Sequence, residues 1–418
     1  CTNLTDLFLE RLVPRFENPY VVLRYWPGIS PGTWALACAR LRANASMMVY
    51  NDGAVIPAFE HLGFPREQAC EYTMHGCNWP DLPPSQILAH CDLHVLPETL
   101  LRALDTHPDC RDIEELMACF RVAYRERVRH DADAFRDTLR RRRDAAPGPL
   151  AVDDLFLRGP IERACDKYCG GVEHVTTVTT FSSFATLVDS VAAIDALVFR
   201  NGRLALAELL AAVAENFSGQ EALRHECLQA PKFGHGNAHA DDLARRLMEL
   251  MHEEVDAAAA TAAGGREAIY ICRSLETDMN HIHRGARMGA TPDGRRAGEP
   301  LSENSSPSRT VRSSGVTATL NSLAKLPLKQ CHSGALNLRL SPGQFPGDAG
   351  IKALGSLLET YFRQGGLQAQ LSMVDTDTLR EAQQHPAQHR DLMVRITGYS
   401  AAFTDMSPGA QEEIIRRE

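Results

Sequence analysis

The sequence predicts an α/β fold, and three observations carry that reading. Stretches with helical periodicity alternate along the chain with short apolar or β-branched runs, the pattern of helices layered on strands. The chain has 418 residues, enough for one large core or for two domains. No internal repeat and no long low-complexity segment interrupts the alternation.

Over residues 1–75 helical patterns alternate with short apolar runs, and Met47-Met48-Val49-Tyr50 reads as a buried strand entering a turn at Asn51-Asp52-Gly53. Pro97 to Arg143 reads as long helices rich in Arg, Glu and Leu, with Pro97 suited to a first helical position. Ala145-Ala146-Pro147-Gly148-Pro149 breaks them. The run Arg140-Arg141-Arg142-Arg143 fits a solvated helix C-terminus, whose dipole favours cations, better than it fits an anionic partner. Thr176-Thr177-Val178-Thr179-Thr180-Phe181 is β-prone. Leu187, Val191, Ile194 and Val198 share one face of a helix; Leu243, Leu247, Leu250 and Val255 mark another, ending before Gly264-Gly265. Leu336-Asn337-Leu338-Arg339-Leu340 alternates like a strand, and Met393 to Ile396 does so more briefly. Ser407 can cap a last helix with Pro408 at its first position and Arg416-Arg417 in its last turn.

With 44 Lys and Arg against 53 Asp and Glu, the net charge is −9, which gives no support to nucleic-acid or anionic-membrane binding. No apolar run approaches the roughly 18 residues of a membrane span, and Cys1-Thr2-Asn3-Leu4 does not open a basic and apolar signal segment. Twelve cysteines in so long a chain do not make a disulfide scaffold. A reducing, cytoplasmic location is the expectation.

Several short segments, in a fixed order, are more specific than any of these patterns. They are Tyr50-Asn51-Asp52-Gly53-Ala54-Val55-Ile56-Pro57, then His75-Gly76-Cys77-Asn78-Trp79-Pro80, then Lys232-Phe233-Gly234. Thr291-Pro292-Asp293-Gly294-Arg295-Arg296-Ala297-Gly298-Glu299-Pro300 follows, with Ser306-Pro307-Ser308 after it. Arg390-Asp391-Leu392-Met393-Val394-Arg395 then leads into Ile396-Thr397-Gly398-Tyr399-Ser400-Ala401. Together they resemble the glycyl radical enzymes, the family of pyruvate formate-lyase, glycerol dehydratase and choline trimethylamine-lyase, over nearly the whole chain.

The resemblance implies the second half of a ten-stranded α/β barrel with inserted cysteine and glycine loops. Residues 1–285 would be the C-terminal part of the barrel domain and 286–418 the glycine radical domain. Gly398 would store a radical installed by a separate radical S-adenosylmethionine activase, and Cys77 would become the substrate-attacking thiyl. No bound cofactor is implied. The activity implied is a lyase that breaks a C–C, C–O, C–N or C–S bond of a small organic substrate, with a homodimer as the full-length assembly. Only 76 residues precede Cys77, and the first residue is Cys1. The missing half of the barrel is therefore expected in cis or on a partner chain, whereas the C-terminal end looks complete. Half a barrel would expose strand edges, so the chain alone is expected to be unstable or oligomeric.

The chemistry accounts for these residue types. Only glycine has a Cα free of a side chain, so a radical there can flatten and spread over both flanking peptides. A turn glycine is the ordinary alternative. A thiol exchanges hydrogen reversibly with carbon because its S–H bond is weak; a buried, inert cysteine is the ordinary alternative. The small residues Thr397, Ser400, Ala401 and Ala402 suit a tight loop in an enclosed, dry site. Arg395 and Tyr399 either anchor that loop or are read by the activase.

The chain also departs from the family. Many relatives carry a glutamate two residues after the cysteine, where this chain has Trp79, whose indole donates one N–H and cannot accept a proton. Gly76 stands where pyruvate formate-lyase has a second cysteine. His75 and Asp81 are the first candidates for the missing proton handling. Trp79 either stacks on an aromatic or cationic substrate or packs the loop. Glu303-Asn304-Ser305 and Leu367-Gln368-Ala369 depart as well.

Two other classes compete. A metal-dependent hydrolase would use His235, His239 and Asp241, although Gly234 and Gly236 favour a loop there and no metal is expected. His281 and His283 would share one face of a strand but are too few for a site. Cys165 and Cys169 have no third cysteine at a cluster-binding spacing, so the chain is not itself an iron–sulfur activase. The other class is a non-catalytic or split half-barrel subunit that needs a partner chain; a spare radical domain needs only the glycine loop, and this chain keeps both.

Overall fold

A computed structural model describes residues 2–11, 21–43, 47–75, 79–145, 149–260, 268–277, 280–311, 314–397 and 399–417. Helices and strands alternate along it, as an α/β fold requires. The strands are β1 (Val21–Tyr25), β2 (Met47–Asn51), β3 (Thr73–His75), β4 (Trp79–Asp81), β5 (Gln86–Val95), β6 (His174–Ser182), β7 (Tyr270–Ser274), β8 (Asn337–Leu340), β9 (Gln368–Met373), β10 (Met393–Arg395) and β11 (Ser400–Ala402).

One sheet has the order β1-β2-β9-β8. Its β1/β2 and β8/β9 pairs are parallel, and β2/β9 is antiparallel. A second, all-parallel sheet has the order β5-β6-β7. A parallel bridge from Ser274 to Ser333 ties the end of β7 to the segment that leads into β8. Two short antiparallel pairs, β3-β4 and β10-β11, stand apart from both sheets. Because β8 and β9 share a sheet with β1 and β2, the stretches before and after residue 286 share one sheet and one core.

Successive strand residues face opposite sides, and here the two sides differ in polarity. Val49, Leu338, Leu340, Ala369 and Leu371 belong to the main hydrophobic core with the helices. The alternate set, Tyr50, Asn337, Arg339, Gln368, Gln370 and Ser372, is buried on the other face. The alternation read at residues 336–340 therefore separates a helix-covered apolar side from a buried polar interior.

The helices follow the sequence pattern with two differences. Asn51-Asp52-Gly53 opens the helix Asp52–His61 instead of a turn, because Asn51 acts as its cap and accepts from Gly53 N at 3.0 Å. Asn51 Nδ2 also donates to Phe362 O at 2.8 Å and Gly366 O at 2.6 Å. The helical stretch after Pro97 is two helices, Leu96–Thr106 and Ile113–Asp144; the second starts where Asp112 accepts from Glu115 N at 2.9 Å. The long helix lies against Ala238–Ala259, where Arg121 Nε and Arg125 Nε reach Glu254 at 2.5 and 2.7 Å. At its end Arg140, Arg141 and Arg143 are exposed and Arg142 lies 4.3 Å over the Tyr168 ring, consistent with a solvated helix terminus. Among the described residues no helix is long and apolar enough to cross a membrane.

The segment Lys232-Phe233-Gly234 is fixed from the buried helix Phe184–Ile194, where Asp189 Oδ1 accepts from Phe233 N at 2.7 Å. Gly234 has φ +83°, and a Cβ there would lie 2.2 Å from Pro307 Cγ, so the position requires glycine. Burial pushes the Asp189 carboxyl up to about 7, against the opposing pull of Lys232. A raised acid stabilises the fold in its neutral form. That contribution is complete below the ordinary carboxylate range near pH ~4 and is lost as pH rises through about 7. Asp189→Asn keeps the acceptor for Phe233 and removes the charge. The variant is expected to gain on the wild type between those two pH values and to stay more stable above them by about 1–3 kcal/mol. Thermal melts across that range read the gap, and a constant difference at all pH values contradicts it.

Candidate active site

The cysteine and glycine segments each fall on one of the two short hairpins. In the first, His75 lies opposite Trp79, Met74 opposite Pro80 and Thr73 opposite Asp81. Gly76, Cys77 and Asn78 lie outside the described residues, as does the His75 side chain. Trp79 is half-buried and Asp81 is buried. Gln86, the first residue of β5, holds this hairpin to the parallel sheet. Its Nε2 donates to Asp81 Oδ1 at 3.3 Å and to Thr176 Oγ1 at 2.9 Å, while its Oε1 accepts from Leu82 N at 3.0 Å.

In the second hairpin Arg395 lies opposite Ser400, and Ile396 N donates to Tyr399 O at 2.9 Å. Gly398 lies outside the described residues, between Thr397 and Tyr399. The two flanking residues named in the sequence separate in role. Arg395 is buried and anchors the hairpin on the polar face of the first sheet. Its backbone N donates to Ser372 Oγ at 2.9 Å, and its guanidinium bonds Gln370 and reaches Ser400 Oγ at 3.3 Å. Tyr399 is 41% exposed, where another molecule can reach it.

Thr397 connects this hairpin to a buried polar hub. Its hydroxyl accepts from Asn304 Nδ2 at 3.2 Å and Asn337 Nδ2 at 3.1 Å, and lies 3.1 Å from Glu303 Oε1. Glu303 pairs with both Arg309 and Arg417 and accepts from Asn337 Nδ2 at 2.7 Å. Arg309 also pairs with Glu413, whose carboxylate lies 3.0 Å from His281 Nε2. Arg417 donates further to the carbonyl of Arg395, and Arg339 donates to the carbonyl of Arg417. Burial alone would raise the Glu303 carboxyl. The guanidiniums of Arg417 and Arg309, and His281, outweigh it and hold the group well below the ordinary carboxylate range.

The sequence reading missed most of this hub. It took Arg416 and Arg417 together as charges complementing a helix dipole. Arg416 does reach Glu412 at 3.2 Å in the last turn, but Arg417 is 3% exposed and turned inward. Glu303 and Asn304, read only as a departure, are its centre. The available signal was their proximity in sequence to the Ser306-Pro307-Ser308 motif.

The histidine expectations change. His281 and His283 lie in a helical turn, Asn280–Gly285, not in a strand. His235, His239 and Asp241 do not converge on one point. His235 Nδ1 meets Ser314 Oγ at 3.1 Å, His239 Nε2 meets Asp195 at 2.7 Å, and Asp241 pairs with Lys325 at 2.7 Å. Each already has its own partner, which removes the basis for a metal-dependent hydrolase at this cluster. Among the described residues His281, Glu303 and Glu413 do gather as a ligand-type group, but the two guanidiniums that pair with the carboxylates already balance their charge.

The hairpins meet the parallel sheet at opposite ends. Asp81 is bonded at Gln86, where β5 begins. The glycine hairpin is tied through Thr397 and Asn304 to Thr277, which follows the end of β7; Asn304 Oδ1 accepts from Thr277 N at 2.8 Å. The two candidate radical positions therefore belong to hairpins tied to opposite ends of the parallel sheet.

A depressed acid contributes stability that is present above its unfolded pKa near 4.3 and is lost as pH falls through the folded value. Glu303→Gln leaves the buried Arg417 without its acid partner, while Arg309 keeps Glu413. It is expected to cost about 3–5 kcal/mol near neutral pH and to flatten the acid side of the stability profile. Denaturant titrations from pH 7 down into the acid range check both, and an unchanged acid slope counts against the hub.

Residues 1–275 match the family described as pyruvate formate lyase-like, and residues 301–404 match the family described as glycine radical. The chain is 33% identical over 275 residues to a trans-4-hydroxy-L-proline dehydratase of Clostridioides difficile, covering 65% of this chain and 34% of that protein. It is 30% identical over 437 residues to the probable dehydratase YbiW of Escherichia coli K12, covering 96% of this chain and 53% of that protein. The structure of the B12-independent glycerol dehydratase from Clostridium butyricum superposes with a TM-score of 0.86 at 25% identity, over 96% of this chain and 52% of that one. The chain thus spans about half the length of these relatives, or less. With the pyruvate formate lyase-like match covering well over half of its length, this chain belongs to the pyruvate formate lyase-like family of glycyl radical enzymes.

Proposed function

We propose that this chain carries the two radical positions of a glycyl radical lyase acting on a small organic substrate, with Gly398 storing the radical and Cys77 passing it to substrate. The observation that supports this most is the pair of short hairpins, one flanking each residue, that are tied to the same parallel sheet. The radical is protein-based and needs no bound cofactor. A separate radical S-adenosylmethionine activase removes one hydrogen atom from Gly398. The glycyl radical takes the thiol hydrogen of Cys77, the thiyl takes a hydrogen atom from a substrate carbon, and the product radical regains one from Cys77. Hydrogen atoms balance over the cycle, so the enzyme ends as it began.

The names of the relatives, a trans-4-hydroxy-L-proline dehydratase and isethionate sulfite-lyases, favour cleavage of a C–O or C–S bond. In this reading Trp79, half-buried opposite His75, contacts substrate, and His75 and Asp81 handle the proton. In this reading the chain is the second half of a ten-stranded barrel, with residues 1–285 in the barrel and 286–418 in the glycine radical domain. The complete cytoplasmic protein supplies the rest of the pocket and pairs as a homodimer. A non-catalytic half-barrel would need only the glycine hairpin, so keeping the hairpin on either side of Cys77 favours the enzyme.

Anaerobic activation of the full-length protein is expected to give a glycyl doublet in electron paramagnetic resonance. Gly398→Ala should remove the doublet. Cys77→Ser should keep it and abolish turnover. A doublet that survives Gly398→Ala places the radical elsewhere.

A further inference from the structure

We infer that the cavity beside the glycine hairpin binds a small oxyanion that carries its own O–H group, phosphate being the simplest. The cavity measures about 310 Å³, and its wall is formed mainly by residues 306–311, 336–338 and 415–417. Pockets that take small ligands begin at roughly 300 Å³. The space therefore holds a compact anion together with bridging waters.

The charge of the wall is one-sided. Among the described residues Arg309, Arg416 and Arg417 line it, and no aspartate or glutamate does. The acids that pair with these arginines stand outside the wall. Glu303 and Glu413 hold Arg309, Glu303 holds Arg417, and Glu412 lies 3.2 Å from Arg416. The Arg416 side chain is 62% exposed and marks the solvent side. Guanidiniums present several N–H groups in a fixed fork, which suits oxyanions.

Three residues of this wall each hold a buried polar atom without a hydrogen-bond partner among the described residues. The atoms are Ser306 Oγ, Asn337 Oδ1 and Arg417 Nε, and the residues are 6, 7 and 3% exposed. A buried polar group left unpaired costs its desolvation, so a ligand that supplies the missing bonds is favoured. The three atoms also select the ligand. Arg417 Nε–H needs an acceptor, Asn337 Oδ1 needs a donor, and the Ser306 hydroxyl takes either. The Asn337 amide is oriented by its Nδ2, which donates to Glu303 at 2.7 Å and to Thr397 Oγ1 at 3.1 Å. Inorganic phosphate near neutral pH offers acceptor oxygens and at least one O–H. Sulfate offers acceptors alone.

Two of these residues also hold the glycine hairpin. Asn337 donates to Thr397, and Arg417 donates to the carbonyl of Arg395. A ligand on their open atoms binds the fold in which the hairpin is seated, and so stabilises that fold by mass action.

The test titrates the full-length protein by calorimetry with sodium phosphate, sodium sulfate and sodium chloride at matched ionic strength, and follows the melting temperature in each. Phosphate is expected to bind saturably, with a dissociation constant of about 1 mM or tighter, and to raise the melting temperature. It should bind at least about fivefold more tightly than sulfate, and chloride should not bind. Ser306→Ala is expected to weaken phosphate about fivefold or more. Without phosphate the same variant should melt at or above the wild-type temperature, because it removes a buried hydroxyl that has no partner in the fold. Arg416→Ala should weaken phosphate and sulfate alike, since both meet its charge. Equal responses to the three salts mean ionic screening alone and overturn the site. Sulfate binding as tight as phosphate, or no saturable binding to the full-length protein, overturns it as well. So does a Ser306→Ala variant that binds phosphate like the wild type or melts lower without it.

Discussion

The pairing of Glu303 with Arg309 and Arg417 is the constraint on which the rest of this structure depends. A hairpin inserted among polar strand faces has little apolar surface to bury. The apolar cluster beneath it is small, formed by Val374, Leu379, Ala382, Val394, Phe403, Ile414 and Ile415. The polar contacts must therefore set its position. A buried carboxylate between two guanidiniums has steep distance dependence in a low-dielectric interior, so it fixes position even where it adds little net stability. Through Thr397 and the carbonyl of Arg395 that position is passed directly to the residues around Gly398.

The same constraint explains why the strands carry polar residues inside. A sheet between helices and solvent would place its apolar face on the core and its polar face in water. Here the apolar face meets the helices, and the polar face is covered by an inserted hairpin. Gln370 and Ser372 on β9 then serve as partners for Arg395, and Asn337 on β8 as a partner for both Thr397 and Glu303. These residues are costly to bury alone and inexpensive once paired.

This division sets what the sequence could reveal. Helices with one apolar face, such as Ala238–Ala259, and β-branched strands such as β6 were legible because burial imposes a period on them. The cysteine and glycine segments were legible because their chemistry needs a particular residue type at one position. The Asn51 cap was misread as a turn because Asn, Asp and Gly serve both, and the distinction lies in the residues that follow. Arg417 and Glu303 were not legible as a pair. They lie 114 positions apart, and an arginine near a chain end looks the same whether it faces water or a buried acid.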